Sequence, residues 1–200
     1  MTMTAQRPAA SSDAARRAMI DSQLRTSGVN QPWVLSAMMK VPREDFVPQA
    51  MREAAYIDRA IPLGGGRSLA APLVHGKMLS EAAPSDRDKV LLVGDAQGYL
   101  AALLRLLTGS LDVLDPAQAA TRRGKGGYSL VVIDGAVESL PRPLAAQLAE
   151  GGRIVTGLVE RGVTRLATGR KASGDVTLLP VAEIGIPVLP EFAAPKRWNF

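Results

Sequence analysis

Val90-Leu91-Leu92-Val93-Gly94-Asp95-Ala96-Gln97-Gly98-Tyr99 is the stretch whose reading decides the fold. Its first four residues are apolar without polar alternation, the pattern of a strand buried on both faces. Gly94 to Gly98 is a turn, and Tyr99 to Leu107 is an apolar, helix-favouring run. Leu111 to Leu114 reads as a second strand. Asp115 closes it roughly 20 residues past Gly94, the separation at which a carboxylate grips a ribose. Strand, glycine turn, helix, strand and terminal acid make half of a Rossmann-type nucleotide site. Ala96 puts a methyl group where a middle glycine normally lets the backbone approach its ligand. Alone, such a turn is as often structural, and Asp115 alone reads equally as the cap of a helix starting at Pro116.

Working outward, the same alternation of strands and helices continues. Upstream, Asp13 can cap a helix reaching about Thr26, with Gly28 as its stop. Asn30 can cap a second helix with Val34, Leu35 and Met38 on one face and Pro32 in its first turn. A short helix over about Gln49 to Ala54 and a hinge at Gly64-Gly65-Gly66 precede a helix from Pro72 to about Ala83. Downstream, Tyr128 to Asp134 is the clearest buried strand of the chain. A helix over Pro143 to Ala149, ended by Gly151-Gly152, leads to a strand over Arg153 to Leu158. Val163 to Thr168 and Val176 to Ile184 read as a terminal antiparallel hairpin around Gly169 to Gly174. The fold class is therefore α/β, a doubly wound open sheet. Residues 1–18 are expected to be a disordered tail, 19–83 a helical extension, and 84–200 the core packed with it as one unit.

Composition removes several chemistries. The 200 residues contain no cysteine, which excludes disulfides, thiolate metal sites and cysteine nucleophiles. The single histidine, His75, cannot make a two-histidine metal site, and no metal is expected. The net charge of +5 is scattered, and its densest cluster, Arg122-Arg123-Gly124-Lys125, lacks interleaved aromatics, so nucleic acid is not an expected partner. No apolar run approaches the ~20 residues of a membrane span, and residues 1–18 lack the apolar core of a signal peptide. A cytoplasmic protein is expected.

Several segments together resemble the bacterial protein-L-isoaspartate O-methyltransferases. Met19-Ile20-Asp21-Ser22-Gln23-Leu24 looks like that family's opening helix. Val34-Leu35-Ser36-Ala37-Met38 followed by Val41-Pro42-Arg43-Glu44-Asp45-Phe46-Val47-Pro48 resembles its most specific signature. Ala55-Tyr56-Ile57-Asp58, Ile61-Pro62-Leu63-Gly64, Tyr128 to Ala136 and Gln147 to Arg153 follow in order. The resemblance implies S-adenosylmethionine as cofactor and damaged proteins bearing isoaspartyl residues as substrates. It implies cofactor contacts at Gly94, Asp95, Ala96, Gly98, Tyr99, Asp115 and Asp134. Substrate contacts are implied at Gly66, Ser68, Leu69, Ala70 and Pro72.

The chemistry is displacement at a sulfonium methyl by a carboxylate already ionised at neutral pH, so no general base is needed. Alignment and exclusion of water supply the rate. Against the family pattern, Leu92 replaces an acid that serves the cofactor's ammonium group, and Asp95 is a candidate to take over part of that role beside its plain reading as a turn former. Aligned through Pro72, the family's active-site serine is Ala70, leaving Ser68 as the nearest hydroxyl. His75, on the following helix, reads as a packed or partly exposed histidine rather than a proton shuttle. Only residues 116–127 separate Asp115 from Tyr128, too few for both a parallel crossover and the family's third strand. A sheet shortened at that edge is expected, with the adenine side less enclosed. The second reading, from a different class, is a pseudoenzyme that keeps the fold as a binding or scaffold module.

Overall fold

The computed structural model describes residues 9–121, 124 and 126–194. Helix α1 (Ala9–Met19) continues through a π-turn at Ile20–Leu24. It starts ahead of the expected cap at Asp13, so residues 9–18 are helical rather than tail; residues 1–8 lie outside the described residues. Arg16 pins this helix down, donating to Tyr56 Oη (2.8 Å), Met39 O (3.0 Å) and Glu44 Oε1 (3.1 Å). In α2 (Pro32–Lys40) the extended N-cap is Gln31 and not Asn30. Two 3₁₀ turns, Arg43–Phe46 and Gln49–Ala54, follow.

The N-terminal extension is not wholly helical. Strands β1 (Ile61–Gly64) and β2 (Arg67–Leu69) pair as an antiparallel hairpin, and the three glycines expected as a hinge make its turn. All three have positive φ (+92°, +58° and +77°), which only glycine adopts without strain. The core then runs through α3 (Pro72–Ala82), β3 (Lys89–Val93), α4 (Tyr99–Leu107), β4 (Ser110–Leu114), α5 (Pro116–Thr121) and β5 (Tyr128–Val137). It ends with α6 (Arg142–Ala145), β6 (Leu148–Glu160), β7 (Val163–Ala172) and β8 (Asp175–Glu183).

One sheet holds six strands in the order β4-β3-β5-β6-β7-β8. β3 runs parallel to β4 and β5, and β5 runs parallel to β6; β7 and β8 complete the sheet as an antiparallel hairpin. The sheet stops at β4, the edge at which it was expected to be shortened. Boundaries toward the C-terminus also differ from expectation. The helix expected to reach Ala149 ends at Ala145, because Leu148 already pairs with Tyr128 in the ladder. The hairpin turn is confined to Ser173 and Gly174 (φ +54° and +87°), because Gly169 to Ala172 pair with β8.

Alternate residues of the central strands face opposite cores, as the pleat requires. Val90, Leu92, Leu130, Val132 and Val155 pack toward the N-terminal helices, with Leu24, Met38 and Met78. Leu91, Val93, Val131, Ile133 and Ile154 pack on the other face, with Leu144 and Phe192. Asp88, just ahead of β3, ties three strands together. It accepts from Arg153 of β6 (2.9 and 2.8 Å), from Ser129 of β5 (2.7 Å) and from Ser85 (2.9 Å). The Arg153 guanidinium, aided by the two serines, holds its carboxyl well below the usual carboxylate range.

The segment after β8 folds back onto the sheet. Pro187 O accepts from Ala136 N (2.8 Å), Leu189 N donates to Ala136 O (2.9 Å), and Phe192 is buried. Trp198 and Phe200 lie outside the described residues. No helix among the described residues is long and apolar enough to cross a membrane.

Candidate functional site

Because β3, β4 and β5 are parallel, their carboxyl ends share one edge, where open α/β sheets take ligands. Gly94 N–H donates to Leu114 O (2.9 Å), which sets the two strand tips side by side. A cavity of about 1010 Å³ opens there. Gly94, Asp95, Ala96, Gly98 and Tyr99 border it on one side, with Asp115 and Asp134 at the neighbouring tips. The β1–β2 hairpin contributes Gly66, Arg67, Ser68 and Leu69, and Pro187 to Leu189 form another wall. On the side of edge strand β4, Val113, Pro116 and Gln118 line it. Ala70 and Pro72, expected among the substrate contacts, do not reach the cavity; both are buried beneath the hairpin.

The turn is held by its own polar groups. Asp95 Oδ1 accepts from Gln97 N–H (2.8 Å), and Ala96 O accepts from Arg105 on α4 (2.7 Å). A side chain at Gly98 would put its Cβ 3.0 Å from Asp95 O, and one at Gly94 would lie 3.1 Å from Asp134 Cβ. Those two glycines let the backbone pack this tightly. Asp115 Oδ1 accepts from Ala117 N–H (2.9 Å), so it caps α5 while standing at the cavity.

A chain of three polar side chains, none of them adjacent in sequence, runs from the buried Arg43 and His75 to Asp134 at the cavity. Arg43, fully buried, donates from Nε to Ala55 O (2.7 Å) and from Nη2 to Ala70 O. Its Nη1 lies 3.2 Å from His75 Nδ1, and His75 Nε2 lies 3.1 Å from Asp134 Oδ1. A guanidinium can only donate, so His75 Nδ1 is the acceptor. The imidazole proton is thereby assigned to Nε2, directed at Asp134. Burial pulls Arg43 down to about 10, with Tyr99 and Asp134 opposing that shift. Tyr99 is fully buried, its ring 5.4 Å from that of Phe46 and 5.5 Å from the His75 ring. The Arg43 guanidinium stands 5.1 Å from the Tyr99 ring centre, and the Tyr99 hydroxyl has no hydrogen-bond partner among the described residues. Burial pushes that phenol well above its usual range.

His75 is thus packed, but it is not a passive core residue. Leu92, standing where an acid was expected, is fully buried in the core. Sequence reading passed over Arg43 as a site residue, and it missed the pair formed by Arg67, which borders the cavity, and Glu191. Arg67 Nη2 lies 2.6 Å from Glu191 Oε1 and 3.8 Å from Asp115 Oδ2. No local signal marks such pairs, since their members are far apart along the chain. Arg43 was legible only as part of the Val41 to Pro48 motif.

The family model described as protein-L-isoaspartate(D-aspartate) O-methyltransferase matches residues 14–113. A protein-L-isoaspartate O-methyltransferase of Methanoculleus marisnigri is 31% identical over 203 residues, spanning 88% of this chain and 92% of the relative. Protein-L-isoaspartate O-methyltransferase 2 of Anaeromyxobacter sp. is 36% identical over 165 residues, covering 70% of this chain and 68% of its own. A Plasmodium falciparum protein, described as such a methyltransferase in complex with S-adenosyl-L-homocysteine, superposes with a TM-score of 0.70. That match covers 90% of this chain and 98% of the other at 15% identity, and it concerns the fold.

Proposed function

The chain belongs to the protein-L-isoaspartate O-methyltransferase family, and from that premise we propose that it methylates the free α-carboxylate of isoaspartyl residues in damaged proteins, a protein-repair reaction, with S-adenosylmethionine as methyl donor. The observation that carries this reading is the cavity at the tips of β3, β4 and β5, bordered by a glycine turn and by Asp115 and Asp134. The residues fit such a cofactor: Gly94 and Gly98 keep the floor free of side chains that would collide with Asp134 and Asp95. Asp115, with one oxygen on Ala117 N–H, keeps another for ribose hydroxyls. When bound, the cofactor supplies an electrophilic sulfonium methyl.

The chain's own task is to hold two ligands in line and to keep water out. An ammonium group needs an acid, and with Leu92 in the core we assign that task to Asp134 rather than Asp95. Asp134 stands next to Gly94 and is oriented by the Nε2–H of His75, itself fixed by Arg43. Asp95 is engaged in closing the turn. Because the substrate carboxylate would meet that methyl group already ionised, no residue of the chain would have to move a proton. Ser68, on the hairpin, is the hydroxyl that faces this cavity, and Ala70 supplies none. The scaffold alternative has no support in the comparisons, whose reported relatives all carry the methyltransferase name. The cytoplasmic setting goes with this substrate class and is proposed with it.

Calorimetric titration with S-adenosylhomocysteine tests the cofactor half, with a Kd on the order of micromolar, about −8 kcal/mol, expected. No heat at millimolar ligand refutes it. Labelled methyl transfer to an isoaspartyl peptide, with its ordinary aspartyl isomer as control, tests the substrate half. Equal labelling of the two peptides would discard the repair assignment.

A further inference from the structure

The cavity is lined by four carboxylates, Asp45, Asp95, Asp115 and Asp134, yet the substrate it is proposed to take is itself a carboxylate. Among the described residues bordering it, Arg67 is the one cation. Arg43, although close behind, is fully buried and already donates to Ala55 O, Ala70 O and His75. Arg67 stands at the first position of β2, directly after the three-glycine turn, and its side chain is 36% exposed. It holds Glu191 through both guanidinium ends, 2.6 Å from Nη2 and 3.4 Å from Nη1, and has Asp115 at 3.8 Å.

We propose that Arg67 is the residue that receives the α-carboxylate of the isoaspartyl substrate, and that Glu191 occupies it as an internal stand-in until substrate arrives. This rests on the methyltransferase reading above and specifies how its substrate is held. A planar guanidinium matches a carboxylate in two-point geometry, which is the arrangement Glu191 already displays. Without Arg67, the charged side chains lining the cavity would offer an anionic substrate only repulsion. A carboxylate offers about four lone-pair sites, so even in this two-point pairing each oxygen keeps one with which to attack. Esterification removes the negative charge, so the neutral ester has no claim on Arg67 and Glu191 reclaims it. The exchange therefore favours product release as well as binding.

Glu191 separates this role from a merely structural one, because breaking a structural pin from either side has the same effect. Full-length protein is saturated with S-adenosylhomocysteine and titrated calorimetrically with an isoaspartyl hexapeptide and with its α-methyl ester. The wild type is expected to bind the acid more tightly than the ester. Arg67→Gln should raise the Kd for the acid about 10-fold or more, the loss typical of a charge-assisted pair, and leave the ester unaffected. Glu191→Gln should lower the Kd for the acid, since its competitor is gone. Arg67→Lys should fall between wild type and Arg67→Gln. Weakening by both Arg67→Gln and Glu191→Gln, or no change in Arg67→Gln, overturns the proposal. If the wild type takes up no S-adenosylhomocysteine, the methyltransferase reading fails by itself, and the same titrations on unliganded protein still decide the role of Arg67.

Discussion

On the proposed reading, Asp134 carries the heaviest demand of any single residue in the site, because it is assigned the task of an acid expected on another strand. Its carboxylate accepts the Nε2–H of His75 and borders the cavity. Asp134→Asn should therefore weaken S-adenosylhomocysteine binding by about 10-fold or more, the scale of a lost charge-assisted hydrogen bond. Asp95→Asn, which keeps a side-chain oxygen for the Gln97 N–H, should change that affinity by less than about 3-fold. Parallel titrations of the two variants check both numbers. Arg43→Met should be costly to the fold itself. It strips donors from Ala55 O, Ala70 O and His75 Nδ1 in a fully buried setting. A loss of about 3–5 kcal/mol is expected in denaturant unfolding.

Among the elements, strands β3, β5 and β6 are stapled at one end by Asp88 and Arg153. Asp88→Asn should cost about 2–3 kcal/mol at pH 7, as hydrogen bonds to charged groups do. The pH dependence follows from the direction of its shift. The folded carboxyl titrates below its unfolded value of about 3.9, so its stabilisation is complete above that value and fades as pH falls toward the folded one. Urea midpoints of wild type and variant should accordingly stay far apart from pH 7 down to about 4 and draw together only as pH falls further, toward the folded value. Elements were the most legible level of this chain. Tyr99 to Leu107 reads as a helix and is one at both ends, and the apolar runs at Val90 and Tyr128 became central strands. What escaped reading was long-range. Gly151-Gly152 looks like a helix stop, but pairing of Leu148 with Tyr128 turns the same residues into strand. Gly64 to Gly66 looks like a free hinge, but Ile61 opposite Leu69 makes it a hairpin. His75 next to Asp134 could not be foreseen, since it depends on how α3 lies against the tip of β5.

At the scale of the whole molecule, the site draws on the extension, the parallel core and the segment after β8 at once. Both hydrophobic cores share the central strands, so they should be lost together in a single transition. A ligand bound among all three parts should stabilise the entire fold. S-adenosylhomocysteine at 100 times its Kd is expected to add about 2.7 kcal/mol, equivalent to a Tm rise of roughly 5–10 °C for a chain of this size. Differential scanning calorimetry reads this directly, and a ligand-independent Tm would contradict the shared site. The wall formed by Pro187 to Leu189 has a further consequence in the cell. During synthesis, residues 187–189 leave the ribosome after every strand of the sheet has emerged. A nascent chain can build its scaffold early, but the pocket gains its last side only then, and methyl-donor capture has to wait for it.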